Sequence, residues 1–251
     1  MTDIQKKILG ALALAVFVSS AQGQGTTTVS IGLDYAEGKY GEADKSRAWT
    51  IPLGVKYETD SMVLKMSIPY VSASGLAAAG GDLFAPVSQT QSGVGDLIAS
   101  GAWTVYRDSA TGLDLDLGGK VKFATADKSK DLLTTGENDY SLFADAYHPF
   151  GRFKLFGSLG WTLKGDPEGI DFRNPWFGNI GFSHQLSEAD SWGALYDYRQ
   201  KLSRHGSPIS ETTLFLSHKY SKQWKLHGYV VTGFSNASPD LALGTVLSYS
   251  Y

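Results

Sequence analysis

Catalysis by this chain would have to begin at its histidines: His148, His184, His205, His218 and His227. A hydrolase needs a nucleophile beside a base, and a third group that orients the base. Ser183 and His184 are adjacent. Successive side chains of a strand point to opposite faces, so in an extended segment they cannot pair directly. Gly181-Phe182-Ser183-His184-Gln185 is not a nucleophile elbow, which needs Gly two residues after Ser. His184 and His218 fall on faces expected to meet lipid near the interface, where a lipase would place its base, but no His-Ser-Asn-Gly-like stretch accompanies them. A metal fares no better. His148, His184 and His218 share no short ligand spacing, the chain has no cysteine, and Gly136-Glu137-Asn138-Asp139 falls short of an EF-hand and reads as a turn. Gly32, Gly38 and Gly41 precede no helix and form no phosphate loop. The sequence predicts a non-enzyme with no catalytic residue, no cofactor and no metal site.

The other chemistry-bearing set is charged, and it recurs at alternate positions. Leu113, Leu115, Leu117, Val121 and Phe123 alternate with Asp114, Asp116, Lys120 and Lys122. The same pattern sets Lys56, Lys65, Asp96, Asp145, Lys154, Asp197, Arg199, Lys201, Glu211, Lys219, Lys225 and His227 against apolar neighbours. A strand in lipid cannot turn charge outward, so these residues are predicted to line the lumen of a membrane barrel. Both signs are represented, so strong ion selectivity is not expected. Opposite charges on neighbouring strands should pair across the wall. The lumen is then either a wet pore crossed by transverse fields or a salt-bridged interior that only stabilises the barrel.

Positioning these residues requires strands. Trp49, Ile51, Leu53, Val55 and Tyr57 share one face, and Met62, Leu64, Met66, Ile68 and Tyr70 share another. This is period two. It continues along the chain and predicts an all-β fold, a transmembrane antiparallel up-and-down barrel of about twelve strands. The spans are 26–36, 47–58, 61–71, 93–107, 112–125, 138–148, 152–164, 174–186, 190–202, 209–220, 223–235 and 239–251. Long connections (37–46, 72–92, 126–137, 165–173) alternate with tight ones, which is the asymmetry of extracellular loops and periplasmic turns. Tyr35, Trp49, Tyr57, Tyr70, Trp161, Trp176, Trp192, Trp224, Phe234, Tyr249 and Tyr251 lie near strand ends, as two interfacial girdles require. The 72–92 loop carries Leu83, Phe84 and Pro86. It is expected either to fold inward as a constriction or to project as a mobile external loop.

The N-terminus reads as a signal peptide over residues 1–23, ahead of a barrel over 24–251. Lys6 and Lys7 precede an apolar run from Ile8 to Val18, too short to span a bilayer, and Ala21-Gln22-Gly23 offers small residues for cleavage. The net charge of -3 gives no electrostatic case for nucleic acid. Leu247, Tyr249 and Tyr251 form an amphipathic last strand ending in an aromatic residue, the form of strand that barrel-assembly machinery reads. The expected location is the bacterial outer membrane. The expected partners are its lipid, the assembly machinery and small-molecule solutes.

Several segments resemble a known family. They are Gly93-Val94-Gly95-Asp96-Leu97, Trp103-Thr104-Val105-Tyr106-Arg107, Lys122 to Lys130, Thr135 to Tyr140, Gly160-Trp161, Gly165-Asp166-Pro167 and Tyr196-Asp197-Tyr198-Arg199-Gln200. From about Gly93 onward the chain is similar to the transporter-like outer-membrane barrels of the "MetA-pathway of phenol degradation" family. It departs from the pattern at Ala124, where that family usually carries Pro. The resemblance implies passive uptake of small aromatic or hydrophobic molecules and no established catalytic residue. A lipase-like barrel and a structural or adhesive barrel remain the alternatives.

Overall fold

A computed structural model describes residues 25–75, 90–130 and 133–251. The proposed signal peptide and the residues Leu83, Phe84 and Pro86 lie outside them. The described chain forms strands β1 (Thr26–Gly38), β2 (Ser46–Glu58), β3 (Met62–Ser74), β4 (Gln91–Val94), β5 (Leu97–Asp108), β6 (Leu113–Phe123) and β7 (Asp139–Phe150). It continues through β8 (Phe153–Leu163), β9 (Trp176–Gln185), β10 (Asp190–Arg199), β11 (Ile209–Lys219), β12 (Trp224–Gly233) and β13 (Leu241–Ser250).

Apart from β4 and β5, which do not pair with each other, each strand pairs antiparallel with its sequence neighbours, and β1 pairs with both β2 and β13, which closes the sheet. β4 pairs only with the outer end of β3, while β5 pairs with its inner end. The ring therefore has twelve members, with β4 and β5 sharing one place. The single strand expected over 93–107 is broken at Gly95-Asp96. Gly95 N–H donates to Pro69 O at 2.8 Å, and Asp96 turns its carboxylate toward the loop after β6. Closure leaves only the far edge of the short β4 without a ladder partner among the described residues, and such closure is what a strand structure in lipid requires.

The outward face is an apolar belt. Ile180 is 70% exposed, Leu142 69% and Leu159 60%. Leu33, Leu53, Leu117, Leu214, Leu216 and Leu243 continue it around the ring. So much contiguous apolar surface is untenable in water and is what a bilayer covers. Aromatic clusters mark the two rims. Tyr35 and Trp49 meet at 4.7 Å near the long-loop end, and Trp224 and Tyr249 at 4.9 Å near the short-turn end. All five short turns, and both ends of the described barrel, lie on one side.

At the long-loop end the chain folds back into the mouth. Ala48, Val71 and Ala73 face inward and are buried under Leu133 of the loop between β6 and β7, with Tyr40 and Ala126 packed against them. Tyr40 holds a left-handed φ of 51°, a costly conformation for a non-glycine residue, and its half-buried ring packs against this cluster. Burial, with the Glu211 and Asp240 carboxylates nearby, pushes the Tyr40 phenol up to about 12.

Candidate functional site

Alternation places each predicted residue. The inward face of β6 carries Asp114, Asp116, Lys120 and Lys122, opposite the belt residues Leu115 and Leu117. By the same parity Lys56, Lys65, Asp145, Lys154, Asp197, Arg199, Glu211, Lys219, Lys225 and His227 face inward from their strands. Lys201 does not. It lies beyond the end of β10, in the loop, where its Nζ donates to Arg204 O at 3.1 Å.

Asp96 and Lys122 face inward but belong to a buried network at the mouth. Lys122 Nζ lies 3.1 Å from Asp139 and 3.6 Å from Asp96, and Lys164 Nζ lies 2.8 Å from Asp139. Asp96 Oδ1 accepts the backbone N–H groups of Thr125 and Ala126, both at 3.0 Å, and Oδ2 accepts the Thr134 hydroxyl at 2.7 Å. Lys122 donates to Thr135 at 2.9 Å, and Asp139 also accepts Gly165 N–H at 3.1 Å. Two carboxylates and two ammonium groups thus hold the described residues of the loop between β6 and β7, 124–130 and 133–138, down into the mouth. Sequence reasoning missed Asp139 and Lys164 because both sit where strand meets loop.

Arg107 was missed for another reason. Strict alternation from Trp103 would turn it to lipid. A bulge between Thr104 and Tyr106 resets the parity, and Arg107 faces Asp114 in register. Its Nε donates to Asp114 Oδ1 at 2.9 Å, and its Nη2 donates to Asp114 Oδ2 at 3.2 Å and to Asp60 O at 2.8 Å.

The register sets Lys122 opposite Asp139 and Arg107 opposite Asp114, as the expected pairing of opposite charges requires, but elsewhere it departs from that expectation. Lys56 stands directly opposite Lys65, Asp116 opposite Asp145, Asp197 opposite Glu211, and Lys219 opposite Lys225. Like charges directly across a ladder destabilise it. The acidic pair on β6–β7 and the basic pair that ends on β12 are also far apart, since five strands separate β6 from β12 in either direction round the ring. Twelve strands spaced about 4.8 Å apart and tilted about 40° give a backbone diameter of about 24 Å. A polar solute crossing the barrel meets acidic pairs on β6–β7 and β10–β11 and basic pairs on β2–β3 and β11–β12. Asp116→Asn is expected to stabilise the refolded barrel by about 0.5–1 kcal/mol in urea titration, by relieving repulsion from Asp145. The same change should shift the reversal potential in a salt gradient toward anions. Lower stability in the variant would show that the pair is not repulsive.

The inner wall also carries rings that composition did not reveal. Phe143, Phe156, Phe177, Phe215 and Tyr229 face inward, each directly opposite an inward glycine: Gly118, Gly181, Gly160, Gly193 and Gly244 respectively. A Cβ on Gly118 or Gly160 would lie 2.3 Å from the Cζ of its ring, and one on Gly244 2.2 Å from Tyr229 Cζ. The glycines are the seats on which the rings lie flat along the wall instead of projecting across the lumen. All five rings are only half-buried, so they border open space and do not fill a core.

His184 and His218 face outward, as expected. His184 stacks among Phe153 and Trp192 in the rim cluster. His218 Nδ1 and Asp190 Oδ1 share a hydrogen bond of 2.7 Å, so a base and its orienting carboxylate are present. Among the described residues no hydroxyl hydrogen-bonds that imidazole. His227 instead shares a 2.8 Å bond with Ser217 inside the barrel.

No protein-family model matches the sequence, and no curated protein sequence matches it. Solved structures do match. The KdgM porin in complex with disordered oligogalacturonate superimposes with a TM-score of 0.57 at 9% identity, covering 89% of this chain and 99% of the porin. The NanC porin gives a TM-score of 0.58 at 10% identity, covering 88% and 98% respectively. The fold is that of an outer-membrane β-barrel. The closed ring, apolar belt and aromatic rims place this barrel in the bacterial outer membrane.

Proposed function

We propose that the chain is a passive outer-membrane channel for small solutes, including aromatic or hydrophobic ones. The observation that carries this reading is the state of the inward side chains. Lys65 is exposed although it points into the barrel from the fourth position of β3, and the inward rings are half-buried. An interior built only for stability packs its large side chains and pairs its charges. Here like charges oppose one another and the rings border space. Twelve strands fall between the eight that side chains fill and the sixteen that leave an open channel. The loop between β6 and β7 narrows one mouth. The residues predicted to line the pore would act there as a polar wall, with Asp96 and Lys122 holding the loop. The resemblance to transporter-like barrels of phenol degradation, and the porin architecture of the structural neighbours, support the same reading.

The test is single-channel recording of the refolded chain in a planar bilayer. Stable conductance steps in salt alone are expected, partially blocked by small ring-bearing solutes. A folded barrel that passes no current would sink the channel and move attention to the His218–Asp190 pair, with phospholipid as the substrate to assay.

A further inference from the structure

One cavity in the lumen has the composition of a binding site. It is an open recess of 340 Å³ in the inner wall of β5–β10, within the size range of small-molecule sites. Its apolar surface comes from the rings of Phe143, Phe156 and Phe177. Lys120 Nζ stands 5.2 Å from the Phe177 ring centroid, so a cation is held over an aromatic face. Asp145 also lines the cavity, with one carboxylate oxygen accepting the Ser158 hydroxyl at 2.6 Å and the other the Tyr147 hydroxyl at 3.4 Å. Asp145 pairs with Asp116, four residues along β6 from Lys120, which is about 13 Å of strand. A cation and a hydrogen-bond acceptor thus stand at two ends of a space walled by rings.

We infer that this cavity is a solute-binding station on the path through the barrel. Its ligand is a six-membered-ring carboxylate with a hydroxyl donor on the far side of the ring. The carboxylate pairs with Lys120, the ring lies against Phe143, Phe156 and Phe177, and the hydroxyl donates to Asp145. Charge-assisted contact at one end and a directional hydrogen bond at the other select against rings that lack either group. The chemistry is shared by aromatic hydroxy acids and by sugar acids. This inference rests on reading the lumen as a solute path.

The test separates the two readings. Calorimetric titration of the detergent-refolded barrel measures binding whether or not the barrel conducts, and planar-bilayer current in salt alone measures the channel. The probes are 4-hydroxybenzoate and galacturonate, with 4-hydroxybenzyl alcohol lacking the carboxylate and benzoate lacking the hydroxyl. At least one of the two acids should bind, and which one does identifies the source. The alcohol should bind at least tenfold more weakly than 4-hydroxybenzoate if that acid is the ligand, and benzoate several-fold more weakly. Lys120→Met should weaken the acid at least tenfold and Asp145→Asn several-fold. Lys39→Met, which removes a charge from an exposed outer loop, should leave it unchanged. Heat-dependent gel mobility checks that each variant is folded. Binding that survives Lys120→Met, or a folded barrel that takes up neither acid, overturns the station. A conducting barrel without binding leaves the channel standing, whereas binding without conductance leaves the station standing and removes the channel.

Discussion

Asp139→Ala should destabilise the refolded barrel by about 3–5 kcal/mol, the cost of stranding a buried charge by removing its partner. The side chains of Lys164 and Asp139 are only 3% and 9% exposed, so water does little to solvate an ammonium left behind. Lys122 keeps Asp96 at 3.6 Å and the Thr135 hydroxyl, and Lys164 keeps the Phe172 ring, 5.7 Å from its Nζ, but each loses its nearest carboxylate. The second consequence is functional. Asp139 and Asp96 hold the loop that carries Leu133 over Ala48, Val71 and Ala73. Releasing that loop should widen the mouth and raise single-channel conductance. Pairing Asp139→Leu with Lys164→Met should restore most of the stability, since no charge is stranded, but not the narrow mouth. Urea unfolding and bilayer recording read the two effects separately. A stable Asp139→Ala barrel with parental conductance would mean that the ion network does not position the loop.

The second large effect is expected at a ring seat. Gly193→Ala would place a Cβ 2.2 Å from the backbone oxygen of Phe182 and 2.4 Å from Phe215 Cζ. The ring can swing away, but the carbonyl belongs to the ladder between β9 and β10 and cannot. The strand must shift, at the upper end of the roughly 1–3 kcal/mol typical of overpacking, and refolding yield should fall with it. Adding Phe215→Ala should rescue little. Gly244→Ala gives the contrast, because its three nearest neighbours are the far ends of Tyr229 and Asp34. There the single change should cost less, and Tyr229→Ala should rescue it. Equal costs at the two glycines, or full rescue of Gly193→Ala by Phe215→Ala, would show that the backbone contact does not matter.

The strands were legible because period two survives in the sequence wherever one face meets lipid. Trp49 to Tyr57 and Leu113 to Phe123 alternate without a break, and the structure extends both as strands. The alternation fails at two places, and both are hydrogen-bonded irregularities. Gly95-Asp96 breaks one strand so that Asp96 can reach Thr125, Ala126 and Thr134, and the bulge before Tyr106 carries Arg107 into the lumen. Neither changes composition or hydropathy enough to be seen in one dimension. The mouth network was half legible. Asp96 and Lys122 lie on the expected faces, but Asp139 comes 17 residues after its partner Lys122, and Lys164 comes 25 residues after its partner Asp139, counted from their numbers.

Apart from Arg107 and Lys201, the sequence by itself determined which charged side chains face inward, because the bilayer excludes charge and the pleat has a fixed period. It also set the strand count and the side on which the long loops lie. Only the closed structure decided who stands opposite whom. Strand register comes from ring closure and turn geometry, and it placed lysine against lysine, carboxylate against carboxylate and each inward ring on its glycine. A list of inward residues carries no register. The lumen's opposed like charges and its aromatic cavity, which bear the functional reading, therefore belong to the tertiary structure alone.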